Sequence, residues 1–183
     1  GQGTHYEIYN KMGAHPANSG GKDGVYFSVW APGAVEVYVV GDFNNWKAYG
    51  YDMKPVSDGG VYELFVPYAK EGQLYKYLIR AKDGEMLYKA DPYGNLAQLR
   101  PETASVITNL NNFEWTDSEW ITAKRSENHL QQPLSIYEVH IGSWRRKHDG
   151  TEDGFYTYRE AAVDLAEYVK DMGYTHVELM GIA

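Results

Sequence analysis

The sequence has no cysteine among its 183 residues and no long apolar run. The absence of cysteine excludes disulfide bonds and thiol nucleophiles, and it favours a reducing compartment. No stretch approaches the ~20 apolar residues that a membrane helix requires, and the first residues lack the apolar core of a secretion signal. We therefore expect a cytoplasmic protein without a membrane partner.

Basic residues are scarce relative to acidic ones. There are 17 Lys and Arg residues against 25 Asp and Glu residues, which gives a formal net charge of −8. Nucleic acids and anionic membranes attract basic surfaces, so this balance disfavours both as partners and favours an uncharged one. The 17 Tyr and five Trp residues supply flat, amphipathic rings. All-β domains use such residues freely as strand formers, so most of these rings need no functional explanation.

Motifs of common active sites are missing as well. The histidines show no metal-ligand spacing, and the sequence contains no GxGxxG motif, Walker loop or G-x-S-x-G elbow. We expect no metal and no cofactor. Glu138 and Glu178 lie near the middles of two predicted strands and could form an acid–base pair if those strands are neighbours. The interpretation that we favour makes them inward polar residues held by hydrogen bonds, or residues that face a helix layer.

Alternating apolar residues predict short strands between residues 25 and 108. One face of the first two strands is apolar: Val25, Phe27 and Val29, then Val35, Val37 and Val39. Asp-Gly pairs at 58–59 and 83–84 are hairpin signals. About half a dozen strands, with no helical period before residue 109, predict a mainly β fold, an antiparallel β-sandwich of the immunoglobulin-like kind.

Two segments without clear periodicity flank these strands. Residues 1–24 are rich in glycine and are predicted to be an irregular lead-in. Residues 109–133 are predicted to be a linker that Trp115 and Trp120 anchor to a neighbouring surface.

The last segment, residues 134–183, has the pattern of one β-α-β unit. LSIYEVHI is a nearly continuous apolar strand of the kind found in parallel sheets, and THVELM is a second one. Between them lies an amphipathic helix that begins with a capping box at Thr157 and Glu160. Two parallel strands and one helix leave edges uncovered. We therefore expect these edges to pair with another segment, such as a neighbouring copy of the chain.

Three residues of the predicted sandwich suit a sugar-binding site. Trp46 ends the turn-rich GDFNNW segment, Lys76 faces outward from the strand QLYKYLIR, and Tyr88 follows the next turn. If that hairpin pairs as its turn implies, Lys76 and Tyr88 are near neighbours. Aromatic rings pack on the apolar faces of a pyranose, while an ammonium group donates to its hydroxyls. The alternatives are a tryptophan lid over one end of the sandwich, a solvated lysine and an ordinary strand tyrosine.

Several of these segments resemble known families. GVYFSVWAPGAVEVYVVGDFNNW resembles the family-48 carbohydrate-binding module of glycogen-active proteins. The segments GTHYEIYNKMGAH, LSIYEVHIGSWRR and YTYREAAVDLAEYVKDMGYTHVELMGIA resemble the bacterial 1,4-α-glucan (glycogen) branching enzymes. This resemblance implies a β-sandwich followed by the first β-α-β unit of an incomplete (β/α)8 barrel of the α-amylase superfamily. The remainder of that barrel is then a further partner.

The resemblance also implies an activity for the whole enzyme. A retaining transferase cleaves an α-1,4 linkage through a covalent glycosyl-enzyme, and a glucan 6-hydroxyl then attacks in place of water. The catalytic carboxylates of the family lie at the ends of later barrel strands, past residue 183. No catalytic residue is therefore assigned, and we expect the chain alone to be inactive.

The resemblance assigns α-1,4-glucan chains, such as glycogen and maltooligosaccharides, as the ligand of the sandwich. Trp46 and Lys76 match the module's ligand residues, and Tyr88 stands where well-studied relatives carry a second Trp. Three alternatives remain open. The module could belong to a debranching or trehalose-forming hydrolase, act as a non-catalytic glycogen-targeting module, or serve as a spacer that binds nothing.

Overall fold

A computed structural model describes residues 5–56, 58–148, 150 and 154–182. The chain divides into two compact units, with the boundary between Glu114 and Trp115. In the first unit the described strands are β1 (Gly13–Ser19), β2 (Lys22–Trp30), β3 (Ala34–Gly41), β4 (Lys54–Pro55), β5 (Val61–Pro67), β6 (Leu74–Ala81), β7 (Met86–Lys89) and β8 (Ser105–Val106). Short 3-10 helices span Ile8–Asn10, Asp42–Asn44 and Leu110–Asn112.

The first unit is a sandwich of two antiparallel sheets. One sheet has the order β1-β2-β5-β4; the other has the order β3-β6-β7, with β8 also paired to β6. Buried residues of both sheets form one hydrophobic cluster, in which the ring of Phe27 packs edge-on against Tyr75 with centroids 5.1 Å apart. The prediction of a mainly β, antiparallel fold is confirmed, as is the buried face of Val25, Phe27 and Val29.

The structure differs from the irregular lead-in predicted for residues 1–24. Gly13–Ser19 form a strand, and its partner β2 begins at Lys22 rather than at Val25. Gly20 and Gly21 make the turn between them, both with positive φ, as a two-residue hairpin loop requires. The hairpin was missed because the second half of β1 is exposed and polar, so it lacks apolar alternation.

Val35 is a second difference from the predicted pattern. Its side chain is 47% exposed, whereas Val37 and Val39 are buried as predicted. The pairing of β3 with β6 shifts its register between Ala34 and Glu36, which is the mark of a β-bulge. Because a bulge breaks the two-residue period, Val35 no longer shares the face of the other two valines.

The second unit contains two parallel strands with a helix between them. Its described elements are α1 (Ser118–Ser126), a 3-10 turn (His129–Gln131), β9 (Ile136–His140), α2 (Ile141–Trp144), α3 (Tyr158–Asp171) and β10 (His176–Met180). The linker prediction for residues 109–133 missed α1, because that helix buries none of its residues and so has no apolar stripe.

The parallel strand pair and its helix agree with the predicted β-α-β pattern. β10 pairs with β9 in parallel, and α3 begins with the predicted capping box of Thr157 and Glu160. Ala161 and Leu165 are the buried residues of α3, so this face of the helix is the one that packs. None of the described helices has both the length and the apolar content to cross a membrane.

Candidate functional site

The loop that follows β3 holds Trp46 in an unusual backbone conformation. Asn45 and Trp46 have φ angles of 51° and 60°, in the left-handed region. Asparagine tolerates this region, but a tryptophan there costs roughly 1–2 kcal/mol. The surrounding contacts therefore have to hold Trp46 in place, and strain of this kind is often found at ligand-binding positions.

Hydrogen bonds within the loop fix its shape. The buried side chain of Asn44 accepts a hydrogen bond from the Gly41 N–H at 2.9 Å and donates to the Val39 carbonyl at 3.0 Å. The Trp46 N–H donates to the Gly41 carbonyl at 2.9 Å. The loop is thus closed on the end of β3, so the position of Trp46 is set before any ligand arrives.

Asp42 connects the indole ring to the neighbouring strand. Its Oδ1 accepts a hydrogen bond from Trp46 Nε1 at 3.1 Å, and its Oδ2 accepts one from the Leu74 N–H at 2.8 Å. Because residue 41 is a glycine, the end of β3 can lie close to the backbone of Leu74 in β6. A Cβ atom at position 41 would lie 2.2 Å from the Leu74 carbonyl oxygen. The Trp46 side chain stays 37% exposed, which leaves part of its ring available for contact.

Lys76 and Tyr88 lie on the same face of the second sheet. Tyr75 and Tyr77 are buried in the core, so Lys76 between them faces outward as predicted. Tyr88 pairs with Leu78, two residues along β6 from Lys76. The two site residues are therefore diagonal neighbours, with backbones about 7–8 Å apart, rather than a direct pair.

This outer face has an apolar floor. Val40, which pairs with Lys76, is 0% exposed, and Leu78 is 7% exposed, although neither belongs to the core cluster on the other face. The Lys76 ammonium group donates a hydrogen bond to Thr103 Oγ1 at 2.9 Å. We name Val40, Lys76, Leu78 and Tyr88 the outer-face patch; Trp46 lies on the loop at the end of the same sheet.

Two residues of this region were not identified from the sequence. For Asp42 the sequence did offer an indication, because an acidic residue in a turn is a common hydrogen-bond acceptor for nearby N–H groups. Its bond to the Leu74 N–H was not predictable in this way, because the two residues are far apart in the chain. For Thr103 the sequence offered no indication, because its contact with Lys76 depends on how the segment before β8 returns to β6. Both contacts exist only once the sheet is formed.

Glu138 and Glu178 are direct partners across the parallel strands β9 and β10. The structure therefore brings together the two carboxylates that the sequence singled out. Both are exposed, and both lie on the face opposite Tyr137, whose ring packs against Tyr168 of α3. The interpretation that they face the helix layer was wrong. Solvent exposure gives neither carboxyl the low-dielectric environment that distinguishes a catalytic acid from a base.

The part of the chain that the structure describes contains no set of side chains arranged to bind a metal ion. Within those residues, no group of three or more His, Cys, Asp or Glu side chains is arranged to hold an ion.

One family model matches the sandwich. Residues 11–94 match the family model described as carbohydrate-binding module 48 (isoamylase N-terminal domain). The matched range begins just before β1 and ends after β7, so it includes Trp46, Lys76 and Tyr88.

Whole-chain comparison finds similar curated proteins. The chain is 55% identical to 1,4-alpha-glucan branching enzyme GlgB of Butyrivibrio fibrisolvens over 183 residues, covering 100% of this chain and 29% of that protein. It is 48% identical to the protein of the same name from Halothermothrix orenii, covering 100% of this chain and 28% of that one. The chain thus spans less than a third of the length of these relatives.

Solved structures share the fold at lower sequence identity. GBS pullulanase SAP, solved in complex with maltotetraose, superposes with a TM-score of 0.67 at 20% identity, covering 94% of this chain and 24% of that one. A putative alpha amylase from Salmonella typhimurium gives a TM-score of 0.65 at 22% identity, covering 94% of this chain and 25% of that one. At this level of identity the likeness is one of fold.

Proposed function

Because residues 11–94 match the family model of carbohydrate-binding module 48, we propose that the sandwich is such a module and binds α-1,4-glucan chains through Trp46, Lys76 and Tyr88. Glycogen and maltooligosaccharides are the intended ligands. The observation that carries this proposal is the register of β6 and β7, which puts Lys76 and Tyr88 on one sheet face, next to the loop that holds Trp46.

The chemistry of these three side chains suits a neutral sugar. Each aromatic ring covers roughly 50 Å² of a pyranose face, worth about 1–1.5 kcal/mol. The Lys76 ammonium group can donate to sugar hydroxyls as well as to Thr103, since it carries three N–H donors. Two rings and a few hydrogen bonds, less the cost of ordering the ligand, give a Kd of roughly 0.1–1 mM. Such a site tethers an enzyme to a long polymer through effective concentration.

The larger protein is proposed to be a 1,4-α-glucan branching enzyme. The match of the whole chain to such enzymes supports this, and in that reading β9, α3 and β10 begin the catalytic (β/α)8 barrel. The enzyme cleaves α-1,4 linkages and forms α-1,6 branches by retaining transglycosylation. In that reading the catalytic carboxylates are those of later barrel strands, so we expect the present chain to be inactive by itself. A cytoplasmic location, and self-association through the edges of β9 and β10, stay predictions.

Isothermal titration with maltoheptaose tests the binding site. The chain should bind with a Kd of roughly 0.1–1 mM, and Trp46→Ala should weaken binding by about five- to tenfold, because about 1–1.5 kcal/mol of stacking is lost. Trp120→Ala is the matched control, since it removes an indole that is 58% exposed in the other unit and should leave the Kd unchanged. Tyr88→Trp should tighten binding by enlarging the ring.

Two outcomes would contradict the binding proposal. A folded chain that binds no maltoheptaose would leave the sandwich as a spacer. If the Trp46→Ala variant binds maltoheptaose with unchanged affinity, the binding site must lie on another surface.

The inactivity of the chain has its own test. Incubation with amylose should leave the iodine absorbance spectrum unchanged, whereas formation of branches by these residues alone would refute the assignment of catalysis to the later barrel strands.

A further inference from the structure

A groove of about 900 Å³ lies beside β3 in the first unit. Its lining includes Glu36 and Tyr38 of β3, Tyr49 and Asp52 of the segment after β3, and Met86 of β7. Trp46, Lys76 and Tyr88 are not among its lining residues. The groove is therefore separate from the site proposed above.

Part of the groove lining, including Tyr38, lies on the same sheet face as the outer-face patch. Tyr38 pairs with Leu78, and Leu78 pairs with Tyr88, so these three residues form one row across the outer face. At about 4.8 Å per strand, the backbones of Tyr38 and Tyr88 are roughly 10 Å apart. A single extended ligand on this face can therefore contact both regions.

The charged groups at the groove are already paired with one another. Arg80 donates two hydrogen bonds to the Glu36 carboxylate, at 2.9 and 2.6 Å, and Lys54 pairs with Asp52. The bond from Arg80 holds the pKa of Glu36 below its usual range. Arg80 is not itself a lining residue, but it pairs with Glu36, as Lys54 pairs with Asp52. Each carboxylate of the groove therefore has a cationic partner, which disfavours an ionised ligand.

The pairing of Arg80 with Glu36 also fixes the positions of the Glu36 carboxylate oxygens, which can accept hydrogen bonds from a neutral ligand. Tyr38 donates its hydroxyl to Glu36 Oε2 at 2.7 Å, so the carboxylate is held from two sides. A carboxylate offers about four acceptor positions, so Glu36 keeps acceptor sites for the hydroxyl groups of a ligand after the pair has formed. Glu36 is therefore a preorganised acceptor in a groove that also contains aromatic rings.

Tyr49 supplies an open aromatic surface at the groove. Its side chain is 96% exposed, and it lies in the turn before Gly50, whose φ of 81° sets the direction of the chain. An apolar ring face together with neutral, paired polar groups matches a pyranose, which has apolar C–H faces and a rim of hydroxyls.

We propose that this groove, with Tyr49 as its stacking ring and Glu36, held by Arg80, as its polar contact, is a second α-glucan subsite on the sandwich. It extends the binding surface from the outer-face patch across β3, so that longer oligosaccharides gain contacts that short ones do not. The inference rests on the proposed glucan-binding function, but it concerns residues with no part in the first site.

Amide chemical-shift mapping of the ¹⁵N-labelled chain with maltoheptaose tests this subsite. The amides of Glu36, Tyr38 and Tyr49 should shift in the unmodified chain. They should still shift in Trp46→Ala, at higher ligand concentration. Tyr49→Ala should abolish these shifts and weaken maltoheptaose binding by about fivefold, while maltotriose binding changes less.

Two control variants accompany the mapping. Tyr49→Phe keeps the ring and should bind as the unmodified chain does, whereas Tyr6→Ala removes another tyrosine, 87% exposed, and should have no effect. Because Tyr49 is almost fully exposed, its replacement should not unfold the sandwich.

The outcomes separate this inference from the proposed function. If Tyr49→Ala leaves both the affinity and the shift pattern unchanged while Trp46→Ala weakens binding, the second subsite is refuted and the first stands. If Tyr49→Ala alone abolishes binding, the groove is the glucan site and the assignment to Trp46 is wrong. If no amide of the folded chain shifts, both proposals are refuted together.

Discussion

Asp91 holds two buried tyrosines of the sandwich core, and its replacement is a direct test of how β6 is anchored. Its Oδ2 accepts hydrogen bonds from the hydroxyl of Tyr75 at 2.6 Å and of Tyr77 at 3.1 Å. Its Oδ1 accepts one from the Tyr93 N–H at 2.8 Å. Burial, and then the charge of Asp91, raise the pKa of Tyr75 and of Tyr77. Both hydroxyls therefore remain protonated donors at any ordinary pH.

The expected effect of Asp91→Ala follows from these contacts. Tyr75 and Tyr77 are 1% and 0% exposed, so the change leaves two buried hydroxyls without their acceptor. Each unsatisfied buried group costs about 1–3 kcal/mol, which brackets the loss between about 2 and 6 kcal/mol. Asp91 itself is 8% exposed, so water can reach part of the vacated space. We therefore expect a loss of about 3 kcal/mol in the free energy of unfolding.

Urea unfolding measures this loss. Because the chain has two units, the amide signals of β6 are the proper probe, since they report the sandwich alone. Tyr77→Phe removes the donor together with its need for an acceptor and should cost only about 1 kcal/mol. Asp83→Ala is the surface control: it removes an exposed carboxylate that accepts a bond from the Glu85 N–H, and it should cost less than about 1 kcal/mol.

A double-mutant cycle shows whether the reasoning is correct. Residues in one hydrogen-bond network couple by about 0.5–3 kcal/mol, so Asp91→Ala should cost less in the Tyr77→Phe background than in the unmodified chain. A loss below about 1 kcal/mol for Asp91→Ala, or strictly additive effects in the cycle, would refute the claim that this network holds β6 in place.

Two further predictions concern the site loop and the helix of the second unit. Asp42→Ala should weaken maltoheptaose binding several-fold with Trp46 intact, because the indole loses its acceptor; Asp42→Asn, which keeps one acceptor oxygen, should recover part of the affinity, and equal Kd values for all three chains would exclude a positioning role. Hydrogen bonds from Lys147 and from Thr157 lower the pKa of Glu160 to about 2. A lowered pKa stabilises the folded state above the unfolded value of 4.5, and this contribution is lost as the pH falls towards 2. The amide signals of α3 should therefore show a loss of stability over that range, and Glu160→Gln should reduce this pH dependence; the same acid profile in both chains would contradict it.

Local patterns in the sequence were sufficient for much of the architecture. The strand β2 was recognisable because Val25, Phe27 and Val29 alternate with exposed positions, and burial of one sheet face demands that period. The helix α3 was recognisable because its capping box is made by residues three apart in the chain, Thr157 and Glu160. These signals are local, so they can be read without knowing the fold.

The elements missed by sequence analysis are those whose stability comes from distant partners. The edge strand β1 is polar and is held by pairing with β2, and α1 has no buried face to give it a period. The bulge that exposes Val35 arises from the register of β3 against β6, residues about forty positions apart in the chain.

Local sequence patterns were enough to predict the residue types of the candidate site: a tryptophan after a strand, an outward lysine between two core tyrosines, and a tyrosine past a hairpin turn. How these residues are held depends on contacts between distant parts of the chain. Pairing of β6 with β7 sets Lys76 diagonal to Tyr88, and Asp42 ties the Trp46 indole to the backbone of Leu74. The groove beside Tyr38 likewise exists because β3 and the segment around Asp52 meet in space. Alternation and turn chemistry act between neighbours in the chain, whereas a binding surface depends on sheet register, which is fixed when the whole core packs.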